Sequence, residues 1–561
     1  MIRYITLTLL CAFTVIGCGG GSGGGSAQNT PSASIVESEV QASRFLARAS
    51  FGGSITEIQG LVGSDAAEWL AQEFNKPATL YLDRLLLTRA NDGTFPSRAR
   101  SDMHWQAMIG ADDQLRQRMV FALSQIMVVS ENGFSGRSDS FAAYMDVLSR
   151  NAFGNYRTLL EEVTYSPIMA EFLTYLRNRK GDPRTGRMPD ENYARELLQL
   201  FTIGLIELNP DGTPRLGPDQ QPIETFGNDD ILGLAKVFTG LSYGGGQTFF
   251  QSPGVDDRYR PLIVFPEQHS ELEKSFLGVT VPAGTSGEQT IDIALDTIFQ
   301  HPNVAPFVAR QLIQRFTASS PDAAYVGRVA AAFEAGEYIA GNGRRFGNGA
   351  RGDLQATLAA ILLDASLYAE SGGQNNSTTK VREPVLRFVH WARAFNIDAA
   401  DVPNESWLSN TSDPATRLGQ QPFRSPSVFN FYRPGFVAPG TETGRNGLTA
   451  PELQIIDTTS LVGYVNFMTD YVFDRTPSGN TVSFVPDYSA ELALADNPQA
   501  LVDRLDLLLG AGRMTDTVKS QIVFALENTP IREGSEADDR LRRVRVAVLM
   551  AVTSPAYMVI N

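Results

Sequence analysis

The residues whose types and spacing could do chemistry lie on one predicted helix, from Asp190 to Leu205. At 100° per residue, Asn192, Arg195 and Glu196 share its polar face. A carboxyl group in that position can move protons as a general acid or base, while a guanidinium group can hold an anionic group. The pattern therefore admits a hydrolase or lyase that uses Glu196 and Arg195, with Asn192 beside them.

The same pattern also fits an amphipathic helix whose polar face is solvated or bonded to a neighbour, and we favour this structural interpretation. Glu191 and Arg195 are four residues apart, in the order that favours an ion pair. The apolar residues share the opposite face of the predicted helix, and they are Ala194, Leu197, Leu198, Phe201 and Leu205. A helix with two such faces needs no catalytic role to explain it.

The four histidines supply one further candidate for proton transfer. They are His104, His269, His301 and His390. None stands in an H-x-H, H-x-x-x-H or H-E-x-x-H pattern, so the sequence predicts no metal site. We expect His301 to cap a helix. His269 lies in a predicted loop near Glu271 and Lys274 and has the weakest structural explanation, so it joins Glu196 as a candidate.

Two glycine-rich stretches resemble catalytic or nucleotide motifs only in part. Gly240–Gly244 matches G-x-S-x-G, but a nucleophile elbow needs a strand before the serine and a helix after it. The preceding run Ile231–Phe238 has helical character, and glycines follow the serine. Gly341–Gly347 fits neither a dinucleotide-binding motif nor a P-loop. We therefore predict no serine hydrolase and no cofactor.

The first seventeen residues have the features of a secretory signal peptide. Arg3 is their only charged side chain, and the apolar run Ile5–Ile16 is too short to span a bilayer. The run ends in Val15–Cys18, which resembles the recognition site of bacterial lipoprotein signal peptidase. That resemblance implies cleavage before Cys18 and a lipid on its thiol. The alternative is an ordinary signal peptide with a chance cysteine.

Residues 18–34 are predicted to be a lipidated cysteine followed by a flexible tether. Residues 19–34 read GGGSGGGSAQNTPSAS, a composition that cannot form a core. Such a coil reaches on the order of 20 Å from the bilayer. Gly19, in place of Asp, resembles the sorting signal for the outer membrane in Gram-negative bacteria. We therefore expect an exported protein anchored in the cell envelope, with the membrane as a partner through Cys18.

Charge and cysteine content exclude several classes of partner and site. The 561 residues carry a formal net charge of −15, from 62 acidic and 47 basic side chains. An acidic surface repels phosphate backbones, so we expect no nucleic-acid partner. The only cysteines are Cys11 and Cys18. Residues 35–561 can therefore form neither an internal disulfide nor a thiolate zinc site.

Residues 35–561 are predicted to be a single large, mainly α-helical domain with a few short β-hairpins in loops. A helical period joins Leu115, Met119, Leu123, Ile126 and Met127 on one face. Helix starts are predicted at the capping box Ser54–Glu57, at Ser320, which precedes a proline, and at Asp353.

Strand signals are few. A hairpin tip is predicted at Asn209–Gly212, within the run Leu205–Leu216. Pro261–Phe265 and Phe276–Val281 are two further short runs of β-branched and aromatic residues.

Several motifs, in order, resemble a bacterial family known as DUF1800, a domain of unknown function. They are RFLARASFG from Arg44, LRQRMVFALSQIMVVS from Leu115, NAFGNYRTLLEEV from Asn151, PDENYARELLQLFTIG from Pro189, VFTG from Val237, HPNVAPFVARQLIQRF from His301, REPVLRF from Arg382 and RSPSVFNFYRPG from Arg424. The resemblance runs from about residue 43 to the end. It implies a helical, exported and often lipidated protein.

The resemblance also implies a partner and qualifies the histidine site. Genes of the family commonly neighbour those of another exported family, which resembles phosphatases and sulfatases. Relatives often carry His where this chain has Phe201, and His-Asp ahead of a lysine where it has His269-Ser270 ahead of Lys274. These departures weaken any site based on histidine.

Two functional hypotheses follow from the sequence. The first is an accessory or scaffold lipoprotein in envelope or extracellular polymer handling, partnered with a secreted phosphatase- or sulfatase-like protein. The second is an envelope hydrolase or lyase that uses the polar cluster of the 190–205 helix. The sequence does not decide whether the protein is an enzyme.

Overall fold

The computed structural model describes residues 35–132, 134, 136–368, 378–475 and 484–560. The predicted signal peptide, Cys18 and the tether lie outside these residues. The described chain is mainly helical, with only short two-stranded antiparallel sheets, which confirms the predicted fold class.

Ten helices precede residue 197 among the described residues. They are α1 (Glu39–Ala49), α2 (Ile55–Leu61), α3 (Ala66–Asn75), α4 (Leu82–Leu86), α5 (Ala99–Gly110), α6 (Gln114–Ser124), α7 (Ser138–Asn151), α8 (Tyr156–Thr164), α9 (Pro167–Phe172) and α10 (Asn192–Glu196). The others are α11 (Asn228–Val237), α12 (Gly287–Gln300), α13 (Val304–Phe316), α14 (Ala323–Ala335), α15 (Leu354–Leu362), α16 (Pro384–Ala394), α17 (Glu442–Arg445), α18 (Thr458–Val472), α19 (Ser489–Leu492), α20 (Pro498–Leu505), α21 (Asp516–Glu527), α22 (Glu536–Val552) and α23 (Pro555–Met558).

Short π-helical and 3₁₀-helical turns also occur among the described residues. The π-helical turns are Leu197–Thr202 and Asp506–Gly510. The 3₁₀ turns are Val255–Asp257, Pro266–Gln268, Ala365–Leu367, Ala399–Asn404, Ser406–Ser409 and Pro451–Ile455.

The strands form four antiparallel pairs. They are β1 (Leu241–Ser242) with β2 (Ile263–Val264), β3 (Lys274–Phe276) with β4 (Val279–Val281), β5 (Tyr338–Ile339) with β6 (Arg345–Phe346), and β7 (Lys380–Val381) with β8 (Val559–Ile560). The predicted run Phe276–Val281 is therefore not one strand, because it contains the end of β3, a two-residue turn and all of β4. The predicted tip Asn209–Gly212 is confirmed, because the Asn209 amide donates to the Thr213 carbonyl at 2.8 Å.

Helix starts follow the predicted capping chemistry at two of three positions. Ser54 and Glu57 form the capping box of α2, and Asp353 caps α15 by accepting from the Ala356 amide at 2.9 Å. The prediction of Ser320 as the cap of the next helix was wrong. Asp322 caps α14, because its carboxylate accepts from the amide three residues later at 2.8 Å.

Helix α6 is buried on all sides and not on one face alone. Its predicted apolar face is buried, but Arg116, Gln117 and Arg118 are also at most 7% exposed. Polar side chains on a fully enclosed helix need partners from other elements, because burying them unpaired is costly. Arg118 finds such a partner in the carbonyl group of Arg315 on α13.

The packing joins segments that are far apart in sequence. One connected cluster of buried apolar side chains extends from Val36 to Tyr557. The Ser43 hydroxyl of α1 donates to the Leu507 carbonyl at 2.8 Å, so the first described helix packs on the second π-turn. Among the described residues, the model contains no helix that combines the length and apolar character needed to cross a membrane.

Candidate functional site

A loop before α10 fixes the start of the helix that carries Asn192, Arg195 and Glu196. The Asn178 side chain both accepts from the Asp190 amide at 2.9 Å and donates to its carbonyl at 3.2 Å. Asp190 Oδ1 accepts from the Asn192 amide at 2.9 Å, and Asp190 Oδ2 accepts from the Thr174 hydroxyl at 3.0 Å. Asn192 is therefore held within a network that begins the helix.

Arg195 is occupied by the ion pair that its spacing predicts. Its guanidinium lies 2.6 Å from Glu191, and both side chains are about two-fifths exposed. This confirms the predicted pair. An exposed pair of this kind stabilises a helix only slightly, by about 0.3–0.5 kcal/mol.

Glu196 is the chemically unusual member of the helix. The residue is only 7% exposed, and its Oε2 has no hydrogen-bond partner among the described residues. Burial raises the pKa of this carboxyl group, and the nearby Arg195 opposes that change. A buried carboxyl group with a raised pKa is a candidate general acid.

His269 is buried on a different element. Its Nδ1 lies 2.9 Å from the Thr239 carbonyl oxygen, and burial lowers the pKa of the ring. Its Nε2 is buried without a partner in the described chain. No hydrogen bond or ion pair between described residues joins His269 to Asn192, Arg195 or Glu196, so the structure does not assemble the four candidates into one bonded cluster.

Two other residues that the sequence singled out, His301 and Ser242, make hydrogen bonds to the backbone. His301 Nδ1 accepts from the Asn303 amide at 3.1 Å, but Asn303 is the N-cap of α13, so the prediction that His301 caps the start of this helix was wrong. The Ser242 hydroxyl donates to the Phe249 carbonyl at 2.7 Å, and helix α11 precedes its strand. Among the described residues, no three His, Cys, Asp or Glu side chains come together as metal ligands do.

Sequence reasoning missed a buried polar cluster, here called the Glu383 cluster, which comprises Glu383, Gln125, Gln420, Tyr432, Arg118 and Arg315. Glu383 Oε2 accepts from Gln125 Nε2 at 2.7 Å, from the Tyr432 hydroxyl at 3.0 Å and from Gln420 Nε2. Glu383 itself is fully buried. A cavity of about 10 Å³ adjoins Gln125 and Gln420, about the space that one water molecule needs.

Two buried cations complete the Glu383 cluster. Arg118 donates to the Arg315 carbonyl, and Arg315 donates to the Gln125 carbonyl at 3.2 Å. Burial lowers the pKa of Arg118 to about 10, against the attraction of Glu383. The carboxylate of Glu383 attracts both guanidinium groups through space, while these hydrogen bonds go to backbone carbonyl groups.

The cluster draws on four of the motifs quoted above. Arg118 and Gln125 come from the α6 motif, Arg315 from the α13 motif, and Glu383 and Tyr432 from the two motifs that follow. A signal was present in the sequence, because Arg118 and Gln125 interrupt the apolar pattern of α6. Periodicity alone could not show which distant loop supplies their partners.

An apolar cleft, here called the α7–α8 cleft, is a further site with room for a small ligand. Its volume is about 330 Å³, and its lining includes Asp146, Tyr165 and Tyr259. Burial raises the pKa of Asp146 to about 6. Asn192, Arg195, Glu196 and His269 do not line this cleft.

Comparisons with known proteins identify one family. A family model described as "Protein of unknown function (DUF1800)" matches residues 44–559. No curated protein and no solved structure matches the chain. The match covers the stretches from Arg44 to Arg424 that carried the resemblance in the sequence.

Proposed function

Since the chain belongs to the DUF1800 family, we propose that it is an exported lipoprotein, anchored in the outer membrane by a lipid on Cys18. Its helical body acts as an accessory or scaffold component in envelope or extracellular polymer handling. The single observation that carries the proposal is the order of the first 34 residues: signal peptide, lipidation motif and flexible coil.

The physical role of each part supports this arrangement. One acyl group gives only weak membrane binding, whereas two or more chains anchor a protein stably. A diacylated cysteine therefore holds a body whose net charge of −15 would not bind anionic lipid. The Gly/Ser coil of residues 19–34 then allows the body to contact partners beyond the headgroups.

Fractionation of cells tests the anchor. The wild-type chain is expected in the outer-membrane fraction, and Cys18→Ala is expected to be lost from that fraction. Cys11→Ala is the matched control, because that cysteine lies in the segment that cleavage removes. If Cys18→Ala stayed in the outer-membrane fraction like the control, the proposed anchor would be wrong.

We further propose that the body docks a secreted phosphatase- or sulfatase-like protein. Capture of the full chain from a solubilised envelope, followed by mass spectrometry, is expected to return such a protein at constant ratio. Phe524 is 67% exposed, so the variant Phe524→Ser first tests whether the partner contacts this part of the surface. Recovery of no stable partner would contradict the scaffold role.

A second candidate function rests on Glu196. Its burial, raised pKa and unpartnered Oε2 are the properties of a general acid in a hydrolase or lyase. If it has that role, Glu196→Gln should abolish turnover in a panel of phosphate, sulfate, acyl and glycosyl ester substrates. The neighbouring variant Glu191→Gln should retain it. Equal turnover by the two variants would exclude this role.

A further inference from the structure

Two adjoining clefts beside α2 and α3 form a long surface groove, here called the α2–α3 groove. Both clefts are lined by Glu57, Lys76, Asp112, Gln114 and Arg393, so they open into one another. Their volumes are about 500 and 930 Å³. The larger cleft lies near the top of the range of roughly 300–1,000 Å³ that small-molecule sites occupy. The groove therefore has room for an extended ligand.

The wall of the groove is polar, but several of its charges are already paired. Arg393 donates to Glu57 at 2.8 Å, and Lys76 donates to Glu73. Glu68 is paired with Arg344. Carboxylates and cations that neutralise each other still offer acceptors and donors for hydrogen bonds. This wall offers both acceptors and donors to a ligand with many hydroxyl groups, and its excess of carboxylates over cations disfavours an anionic polymer.

One aromatic side chain lies in this polar wall. Trp69 lines the smaller cleft and is half-buried. Its ring meets Phe45 edge to face, with centroids 5.1 Å apart and planes at 85°, which fixes the orientation of the indole. A fixed aromatic face is suited to the C–H face of a sugar ring, which is apolar, while the hydroxyl groups at the ring edge meet the polar wall.

Gln114 provides an independent sign that a donor is missing from the groove. It lines both clefts, although the residue is only 6% exposed. Its Nε2 donates to the Ala111 carbonyl at 2.7 Å, which fixes the amide, but its Oε1 has no hydrogen-bond partner. A buried acceptor without a donor is costly, but Oε1 is itself shielded from solvent, so a ligand hydroxyl group supplies that donor only if the groove wall moves on binding.

We propose that the α2–α3 groove binds a neutral polyhydroxylated chain, an oligosaccharide. The inference deepens the proposed function, because it rests on the handling of an envelope polymer and names the chemical class of that polymer. The binding site itself does not require the lipid on Cys18.

Binding of sugar probes to the full-length chain in detergent tests the inference. The probes are cellohexaose, chitohexaose and maltohexaose, with poly-lysine and dextran sulfate for comparison. Tryptophan fluorescence and calorimetry report the dissociation constants. We expect at least one hexasaccharide to bind, whereas any binding of the two polyelectrolytes should not depend on the groove. Cys18→Ala should bind as the wild type does, which separates this result from failure of the membrane anchor.

Two variants locate binding in the groove. Gly60 lines the smaller cleft on α2, and a Cβ there meets no atom within 4 Å, so Gly60→Met fills the groove without disturbing the fold. Trp69→Leu removes the aromatic face. Each should raise the dissociation constant at least about tenfold. Gly435→Met is the control, because its Cβ also meets open space and Gly435 lines neither cleft.

Hexasaccharide binding that both groove variants weaken and the control retains would support the inference. Three results would overturn it: binding of poly-lysine or dextran sulfate that both groove variants weaken, no binding of any hexasaccharide, or hexasaccharide binding that Gly60→Met and Trp69→Leu leave unchanged.

Discussion

At the residue scale, the interior of the protein contains a buried carboxylate whose hydrogen-bond donors come from segments far apart in sequence. Glu383 begins α16, Gln125 follows α6, and Tyr432 lies in a loop almost fifty residues after Glu383. Each supplies a group that would be costly to bury alone. The Glu383 cluster therefore fixes how these segments meet.

The change Glu383→Gln tests this role. The neutral amide weakens the hydrogen bonds from Gln125, Gln420 and Tyr432 and removes a charge that attracts Arg118, so we expect a loss of about 1–3 kcal/mol in the free energy of unfolding. Urea unfolding followed by circular dichroism measures it. The control is Glu337→Gln, which removes one carboxylate of a surface ion pair and should change stability by less than about 1 kcal/mol. Equal effects of the two changes would contradict the role of the cluster.

Asp146 predicts a dependence of stability on pH. Burial raises the pKa of this side chain from 3.8 to about 6, although the amides of Tyr81 and Leu82 donate to its carboxylate. The folded state therefore holds a proton between pH 3.8 and 6 that the unfolded state releases. The contribution of Asp146 to stability is complete below this window and is lost as the pH rises through it, by about 3 kcal/mol.

The variant Asp146→Asn removes this titrating group. Its free energy of unfolding should change less between pH 4 and pH 7 than that of the wild type, as urea unfolding at both values would report. The same pH dependence in the two proteins would contradict the assignment.

At the element scale, sequence periodicity located the 190–205 helix but not its form. The α-helical part is only α10, and the chain then widens into the π-turn Leu197–Thr202. The predicted apolar positions from Ala194 to Phe201 are buried, while Leu205 lies beyond the helix and is 55% exposed. A period of 3.6 residues cannot reveal a π-turn, because that turn depends on packing and on side-chain bonds to the backbone.

Thr202 provides such a bond. Its hydroxyl donates to the Leu197 carbonyl at 2.5 Å, five residues earlier. Thr202→Val should lower the free energy of unfolding by about 1–3 kcal/mol, because the buried Leu197 carbonyl loses the hydrogen bond from the Thr202 hydroxyl. Thr297→Val is the matched control, since Thr297 donates to the Ile293 carbonyl at 2.7 Å on an exposed helix face. Urea unfolding would contradict this account if the exposed change cost as much.

At the scale of the whole molecule, the sequence predicted fold class and family but not the long-range packing. Local signals such as the Ser54 capping box depend on residues three or four apart and are visible in the sequence. The pairing of β7 with β8 joins residues about 180 positions apart, and no local pattern reveals it. For the same reason, the apolar run of α6 was visible in the sequence, whereas its contact with Tyr432 was not.

The candidate site was predicted less well than the fold. The sequence identified Glu196 and the Glu191–Arg195 pair, and the structure gives Glu196 the burial that its chemistry would need. His269 was grouped with them on residue type alone, although it lies on another element and bonds to Thr239. The Glu383 cluster was missed because its members become neighbours only through tertiary packing.

The central claim, that a lipid on Cys18 holds this helical body at the envelope, is tested most directly by mass spectrometry of the amino-terminal peptide of the native protein. The account predicts a peptide that begins at Cys18 and carries the mass of a diacylglyceryl group on that cysteine. An unmodified amino terminus downstream of Cys18, or an uncleaved segment 1–17, would contradict it.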